Sequence, residues 1–334
     1  MRALITGGAG FIGSHLAESL LGEGYQVTAL DDLSTGSMAN IRHLKRQPCF
    51  RCVIDDMMNR PLLNELVDEC DVVFHLAAAV GVRLIMESPV RTMHTNVCAT
   101  ELVLEAASKK RKKVLITSTS EVYGKSNKLP FNEEDDLVIG PPIRGRWSYA
   151  CSKAIDEFMA LAYQRERNVP CIVVRLFNTV GPRQTGAYGM VLPRFVKQAL
   201  TGLPITIFGD GNQTRCFGWV KDVAHALVRL TELEGAEGSI FNIGSDNEVT
   251  INELAQVVKE VTGSDSPIQH ISYEEAYGDN FEDMARRVPD LTRIRESIGY
   301  VATRTLKQIV EAVADYIGSS QILRHGVGDL VPGD

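Results

Sequence analysis

The chain has 334 residues, 44% of them hydrophobic and 23% charged, the balance of a soluble globular protein with room for a large core. A formal net charge of -7 argues against a nucleic-acid binder, whose electrostatic footprint would be basic, though it leaves space for a local basic pocket. Seven cysteines, an odd and scattered number, fit reduced thiols in a cytosolic protein better than a disulfide framework.

Residues 2–6 (RALIT) read as a short apolar strand that ends at Gly7-Gly8-Ala9-Gly10-Phe11-Ile12-Gly13. Met1-Arg2 leads directly into it, which leaves no room for a signal peptide and points to a cytoplasmic protein. A helix follows, with Phe11, Leu16 and Leu20 on one face and Gly22 and Gly24 as stop signals. Residues 26–30 (QVTAL) form a second strand closing on Asp31-Asp32. Cys49-Phe50-Arg51-Cys52 has no second pair to complete a zinc site, so no metal is expected.

The alternation continues with a strand at 71–76, a helix at 97–110, a strand at 113–118, a helix at 148–167 and a strand at 171–176. Continuous apolar strands separated by helices predict a doubly wound parallel sheet, an α/β fold of the Rossmann kind. Beyond Gly181 prolines and glycines punctuate shorter segments, with helices at 220–230 and 250–262 and a strand at 240–243. Thr250 or Asn252 is the expected cap of the second of these helices. The expected organisation is a cofactor domain over 1–180, rejoined by 216–244, and a smaller α/β substrate lobe from 181–215 and 245–318. Residues 319–334 read as a Gly-rich tail. No apolar run approaches the roughly 20 residues of a membrane span.

Gly8-x-Gly10-x-x-Gly13 opens a helix straight after a strand. Glycines are needed there because a side chain would keep the backbone from a pyrophosphate, and the helix start offers free N–H groups to its charge. Asp31, 18 residues after Gly13, is placed to bind ribose hydroxyls; Asp32 follows, and no Arg lies between Asp31 and Asn40. That pattern selects NAD over NADP.

Tyr149 and Lys153 are four apart and share one face of a helix. A lysine ammonium near a phenol lowers its pKa from about 10, so Tyr149 is expected to act as a base, with Thr119 offering a hydroxyl to the same substrate oxygen.

With these residues in hand, the chain resembles the extended short-chain dehydrogenase/reductases of the nucleotide-sugar epimerase/dehydratase group. The matching pieces run from Thr6 to Gly13, through His75-Leu76-Ala77-Ala78, Asn96, Ser118 to Gly124 and Tyr149/Lys153, to Arg175-Leu176-Phe177-Asn178-Thr179-Val180-Gly181-Pro182-Arg183. They continue through Gly209-Asp210-Gly211-Asn212-Gln213-Thr214-Arg215 to Arg287-Val288-Pro289-Asp290. The resemblance implies NAD contacts from Gly7, Gly10, Phe11, Ile12, Gly13, Asp31, Asp32, Ser34, Thr35, Gly36, Asp56, Met57, Leu76, Ala77, Ala78, Asn96, Tyr149 and Lys153. It implies substrate contacts from Asn178, Arg183, Val191, Leu192, Phe195, Arg215 and Arg287. It also implies a homodimer that pairs the helices around 97–110 and 150–166.

In this group Tyr149 would take the proton of the sugar C4 hydroxyl while a hydride leaves C4, and the 4-ketone then acidifies C5. Three fates follow: epimerisation at C4, loss of water from C5 and C6, or loss of CO₂ from a hexuronate. The 4,6-dehydratases resemble Thr-Asp-Glu at the strand end, whereas this chain has Thr119-Ser120-Glu121, with a serine where the leaving hydroxyl needs an acid. A β-keto carboxylate needs no such acid, and Thr-Ser-Glu resembles the UDP-glucuronate decarboxylases. The stretch from Leu137 to Tyr149 is similar to those enzymes too, and Gln213 to Phe217 places an Arg near C5 or the carboxylate. Gly181-Pro182-Arg183-Gln184 with Gly186-Ala187-Tyr188 resembles the UDP-hexose 4-epimerases instead, and Glu121 has a second reading as a structural residue. The expectation is decarboxylation of UDP-glucuronate with catalytic Thr119, Ser120, Glu121, Tyr149 and Lys153. A UDP-sugar 4-epimerase is the alternative, followed by a 4,6-dehydratase and, in another class, an NAD(H)-binding sensor.

Overall fold

A computed structural model describes residues 1–186, 189–277 and 282–319, without the side chains of residues 82–84. Ala187, Tyr188 and the tail from residue 320 lie outside the described residues. The strands are β1 (Arg2–Thr6), β2 (Gln26–Asp31), β3 (Phe50–Ile54), β4 (Val72–His75), β5 (Lys113–Thr119), β6 (Cys171–Leu176), β7 (Thr179–Val180), β8 (Ile205–Phe208), β9 (Thr214–Cys216), β10 (Gly218–Trp219), β11 (Ile240–Ile243), β12 (Glu248–Thr250) and β13 (Ile268–Ile271). The helices are α1 (Phe11–Gly22), α2 (Met38–Ile41), α3 (Arg60–Glu69), α4 (Val82–Glu87), α5 (Pro89–Ser108), α6 (Trp147–Arg167), α7 (Val191–Leu200), α8 (Val220–Glu232), α9 (Ile251–Thr262), α10 (Tyr273–Tyr277), α11 (Thr292–Ile298) and α12 (Leu306–Ser319).

Seven strands make one parallel sheet in the order β11-β6-β5-β4-β1-β2-β3. Side chains alternate across it. Ala3, Ile5, Phe74 and Leu115 pack on one face with α1 and α8, while Leu4, Val73, Val114 and Ile116 pack on the other with α3, α5 and α6. With both faces covered, continuous apolar strands are the stable choice. Short strand pairs β7/β10, β8/β13 and β9/β12 and helices α7, α9 and α12 build a second core around Leu192, Phe195, Ile207 and Leu254.

Strand order reverses between β1 and β4, so the loops beyond their carboxyl ends part into a crevice, the usual ligand position in such sheets. The register puts Thr6 opposite His75 at its edge. His75 is fully buried between the Thr6 and Thr100 hydroxyls at 2.8 and 3.1 Å, and burial, helped by Lys153, pushes its pKa down to about 3. A neutral imidazole thus ties β1 and β4 to α5.

Several boundaries differ from the sequence reading. Helix α5 starts at Pro89 rather than 97, because a proline at the first position is preorganised for a helix and its missing N–H is not needed there. Thr250, one of the two caps expected for α9, is its N-cap and forms a capping box with Glu253. Helix α12 includes Ser319, which the sequence reading assigns to the tail. Among the described residues no helix is long and apolar enough to cross a membrane.

Candidate active site

The sheet's carboxyl edge opens into a cleft of about 600 Å³, whose opposite wall carries Asn178, Val191, Arg194, Arg215, Asp283 and Arg287. On the sheet side the turn after β1 is held tight by its glycines. A Cβ on Gly13 would sit 2.2 Å from the Gly7 carbonyl oxygen, and one on Gly8 would sit 2.5 Å from the Ala29 Cβ. Gly7 itself has φ +73°, a left-handed conformation that favours glycine. Helix α1 starts at Phe11 with no side-chain cap, so its first N–H groups are available to an anion.

Asp31 at the end of β2 accepts 2.8 Å bonds from the backbone N–H of Ala9 and of Leu33. Burial pushes its pKa up, and these N–H bonds work against that shift. Asp32 binds the Ser34 backbone and hydroxyl at 2.9 and 2.7 Å, shaping the next turn. Asp31, Asp32, Ser34, Thr35, Asp56, Met57, Leu76, Ala77 and Ala78 all line the cleft with Gly7, Gly10, Phe11, Ile12 and Gly13. A glycine cradle, an uncapped helix start and a carboxylate at the end of β2 fit a dinucleotide's pyrophosphate and ribose.

Four residues expected at the ligand are not on the cleft wall. Gly36 packs on Asp31, where a Cβ would meet Oδ1 at 2.6 Å, so it shapes the carboxylate's surroundings. Asn96 is spent on the chain: its Oδ1 accepts from the Ala79 N–H at 2.8 Å and its Nδ2 donates to Ser152 Oγ at 3.2 Å. Arg183 turns away to pair with Glu18 and to donate to Ser14 Oγ at 3.2 Å. Phe195 is fully buried in the core; on α7 it is Val191, Leu192 and Arg194 that reach the cleft.

Thr119, Ser120, Glu121, Tyr149 and Lys153 come together at the end of β5 and the start of α6. The Thr119 hydroxyl accepts from the Glu121 N–H at 3.2 Å, and it works against the raised pKa of the Tyr149 phenol. Behind it Ser118 Oγ donates to Glu157 at 2.5 Å, and Glu157 is gripped by Arg175 at 2.7–3.2 Å. This buried pair fixes the strand end that presents Thr119.

One electrostatic expectation is corrected. Lys153 donates to Asp156 at 2.7 Å, with both groups buried, so its charge is matched one turn further along α6. Tyr149 is held well above the ordinary phenol value, first by burial and then by the negative charges of Glu121 and Asp156. In the protein alone Tyr149 is therefore protonated at neutral pH.

Around Glu121 stands a cluster of charge. Its carboxylate is 3.5 Å from Arg146 and 3.3 Å from Arg287. Burial opposes its ionisation, but these two guanidiniums outweigh it and hold its pKa below the usual range. Asp283 meets Arg146, Arg215 and Arg287 at 3.0, 2.7 and 3.2 Å and is likewise held low against its burial. Arg194 lies 4.1 Å from the Phe208 ring centre and donates to Thr206 at 2.5 Å; burial pushes its pKa down to about 10.

Arg146, Arg194 and Asp283 were missed from sequence. The signal for Arg146 was a charge three residues before Tyr149, and for Arg194 a charge inside the apolar run from Val191 to Val196. Asp283 gave none, because its partners meet it only in the fold.

A family described as GDP-mannose 4,6 dehydratase matches residues 4–313. The chain belongs to this family. It is 42% identical over 296 residues to UDP-N-acetyl-alpha-D-glucosaminuronate decarboxylase of Bacillus cytotoxicus, across 88% of this chain and 91% of that protein. It is 34% identical over 324 residues to UDP-glucuronic acid decarboxylase 1 of Danio rerio, across 97% of this chain and 74% of that protein. The solved structure of UDP-glucuronic acid 4-epimerase from Bacillus cereus, in complex with UDP-glucuronic acid and NAD, matches with a TM-score of 0.86 and 29% identity. That match covers 95% of this chain and 99% of the other.

Proposed function

We propose that this enzyme decarboxylates a UDP-hexuronate, UDP-glucuronate foremost, to UDP-xylose or its 4-keto form by way of a 4-keto sugar. The observation that carries the reading is Glu121: an ionised carboxylate held by Arg146 and Arg287 beside the Tyr149 phenol, with Ser120 where a dehydratase needs an acid.

NAD, when bound on the glycine turn and Asp31, supplies the acceptor for the C4 hydride. Tyr149 takes the C4 hydroxyl proton in its phenolate form, which the protein alone disfavours at neutral pH, and Thr119 holds the same oxygen through its hydroxyl. Lys153 orients the ribose and the phenol, with its own position set by Asp156. Glu121 and Ser120 orient the hexuronate carboxylate and steer the C5 proton. Asn178, Val191, Leu192, Arg215 and Arg287 line the path for the nucleotide diphosphate and sugar. A 4-epimerase remains the second reading, favoured by the likeness to the Bacillus cereus enzyme that holds UDP-glucuronic acid.

The division into a cofactor domain (1–180 with 216–244) and a substrate lobe (181–215 and 245–318) is supported by β11, which extends the first domain's sheet. A homodimer is supported by exposed apolar side chains on the packed helices α5 and α6, Val90, Met93, Ile155 and Phe158. A cytoplasmic location completes the proposal.

The test is mass spectrometry of products from NAD⁺ with UDP-, GDP- and dTDP-sugars. Loss of one CO₂ from UDP-hexuronates, abolished by Tyr149→Phe, supports the reading. Turnover of neutral sugars with no change of mass overturns it in favour of the epimerase. Full function in Tyr149→Phe would make the protein a sensor.

A further inference from the structure

Three guanidiniums at the reacting end of the cleft converge on a carboxylate of the chain itself. Asp283 Oδ1 lies 3.0 Å from Arg146 and 3.2 Å from Arg287, and Oδ2 lies 2.7 Å from Arg215. The Tyr273 hydroxyl donates to Oδ2 at 3.4 Å. All five side chains line the cleft beside Glu121, whose charge is felt at the Tyr149 phenol. The C5 substituent of a sugar whose O4 meets Tyr149 therefore lies close to this cluster.

Once C4 is a ketone, a carboxylate on C5 is lost by heterolysis of the C5–C6 bond. The bonding pair moves into the C4 carbonyl as an enolate, CO₂ departs, and C5 takes a proton from water. Negative charge leaves the carboxylate as the bond breaks. A guanidinium clamped on that carboxylate would bind the ground state more tightly than the transition state, and so would slow the step. Free arginines here would favour keeping the carboxylate; masked arginines favour losing it.

We propose that Asp283 is a specificity-determining residue: by occupying Arg146, Arg215 and Arg287 it prevents them from clamping the substrate carboxylate, and so commits the 4-ketone to loss of CO₂. This rests on the hexuronate reading above. Without the Asp283 charge, Arg215 loses the carboxylate it pairs with and turns to that of the substrate, while Arg146 and Arg287 still face Glu121; the ketone is then reduced back to a hexuronate, partly with inverted C4.

The test compares wild type with Asp283→Asn, given NAD⁺ and UDP-glucuronate carrying ¹³C at C6, and reads the ratio of labelled CO₂ to labelled 4-epimer. The ratio is expected to fall about tenfold or more, the scale of a partly desolvated ion pair gained by the ground state. Asp283→Glu, which keeps the charge, is expected to recover most of it. A ratio equal to wild type overturns the proposal, as does equal loss of both products in a variant that still binds NADH and melts like wild type. Asp283→Ser gives the same reading if the Asn variant does not fold. If wild type releases no CO₂ from UDP-glucuronate or its 2-acetamido analogue, the hexuronate reading fails, and this proposal with it.

Discussion

Asp156→Asn separates the charge of Lys153 from the anion that now matches it. The two groups meet at 2.7 Å with both side chains buried. At that distance and an effective dielectric constant of about 20, two unit charges attract by about 6 kcal/mol. Desolvation of both ions cancels part of this, and the amide keeps an acceptor for Lys153 worth about 1.5–3 kcal/mol. The net loss of stability is expected to be about 2–4 kcal/mol, near the range for breaking a buried pair. Urea unfolding measures it through the midpoint at constant slope. The same change acts on Tyr149, whose phenol is raised first by burial and then by Glu121 and Asp156. Removing the Asp156 charge and leaving Lys153 unmatched lowers that pKa. A base with a lower pKa is deprotonated at lower pH, so the acid limb of kcat/KM moves down the pH scale. Stability within about 0.5 kcal/mol of wild type, the range of ordinary surface changes, together with an unmoved limb would refute the reasoning.

Three further predictions concern Glu121, Arg183 and Gly13. Glu121→Gln removes the second-largest cause of the raised Tyr149 pKa, so the acid limb of kcat/KM should again move to lower pH; movement upward would contradict it. Arg183→Ala should lower the melting temperature and leave KM for the sugar nucleotide within about twofold, because Arg183 serves Glu18 rather than the cleft. Burial opposes ionisation of Glu18, but His15 and the Arg183 guanidinium beside it outweigh this and lower its pKa from 4.5 to about 2. The stability it contributes is thus full above pH 4.5 and lost as pH falls toward 2, and acid titration of Arg183→Ala should show that loss reduced. Gly13→Ala would set a Cβ 2.2 Å from the Gly7 carbonyl oxygen and should weaken NADH binding in a fluorescence titration, with a stability loss of about 1–3 kcal/mol.

Much of the fold was legible because its strands are buried on both faces. Runs such as Lys113–Thr119 have no exposed face, and the turn after Thr6 announces itself through glycines that closeness requires. The cofactor turn and the Tyr149/Lys153 pair were legible for the same reason: one local element positions each. What was hidden depends on tertiary charge. Nothing in the spacing of Lys153 and Asp156 shows that they pair with each other rather than serve the phenol. Asp283 and Arg146 are far apart in sequence and acquire meaning only where α6 meets the segment before Arg287. Phe195 and Arg194 illustrate a finer limit: adjacent positions on α7 face core and cleft respectively, which a motif match does not resolve.

The central claim, loss of CO₂ from a 4-keto hexuronate, is tested most directly by ¹³C NMR of UDP-glucuronate labelled at C6, incubated with NAD⁺ and the wild-type enzyme. The account predicts that the carboxylate signal decays into labelled CO₂ and bicarbonate while a UDP-pentose accumulates in equal amount. Retention of the label in a UDP-hexuronate with inverted C4 would contradict it.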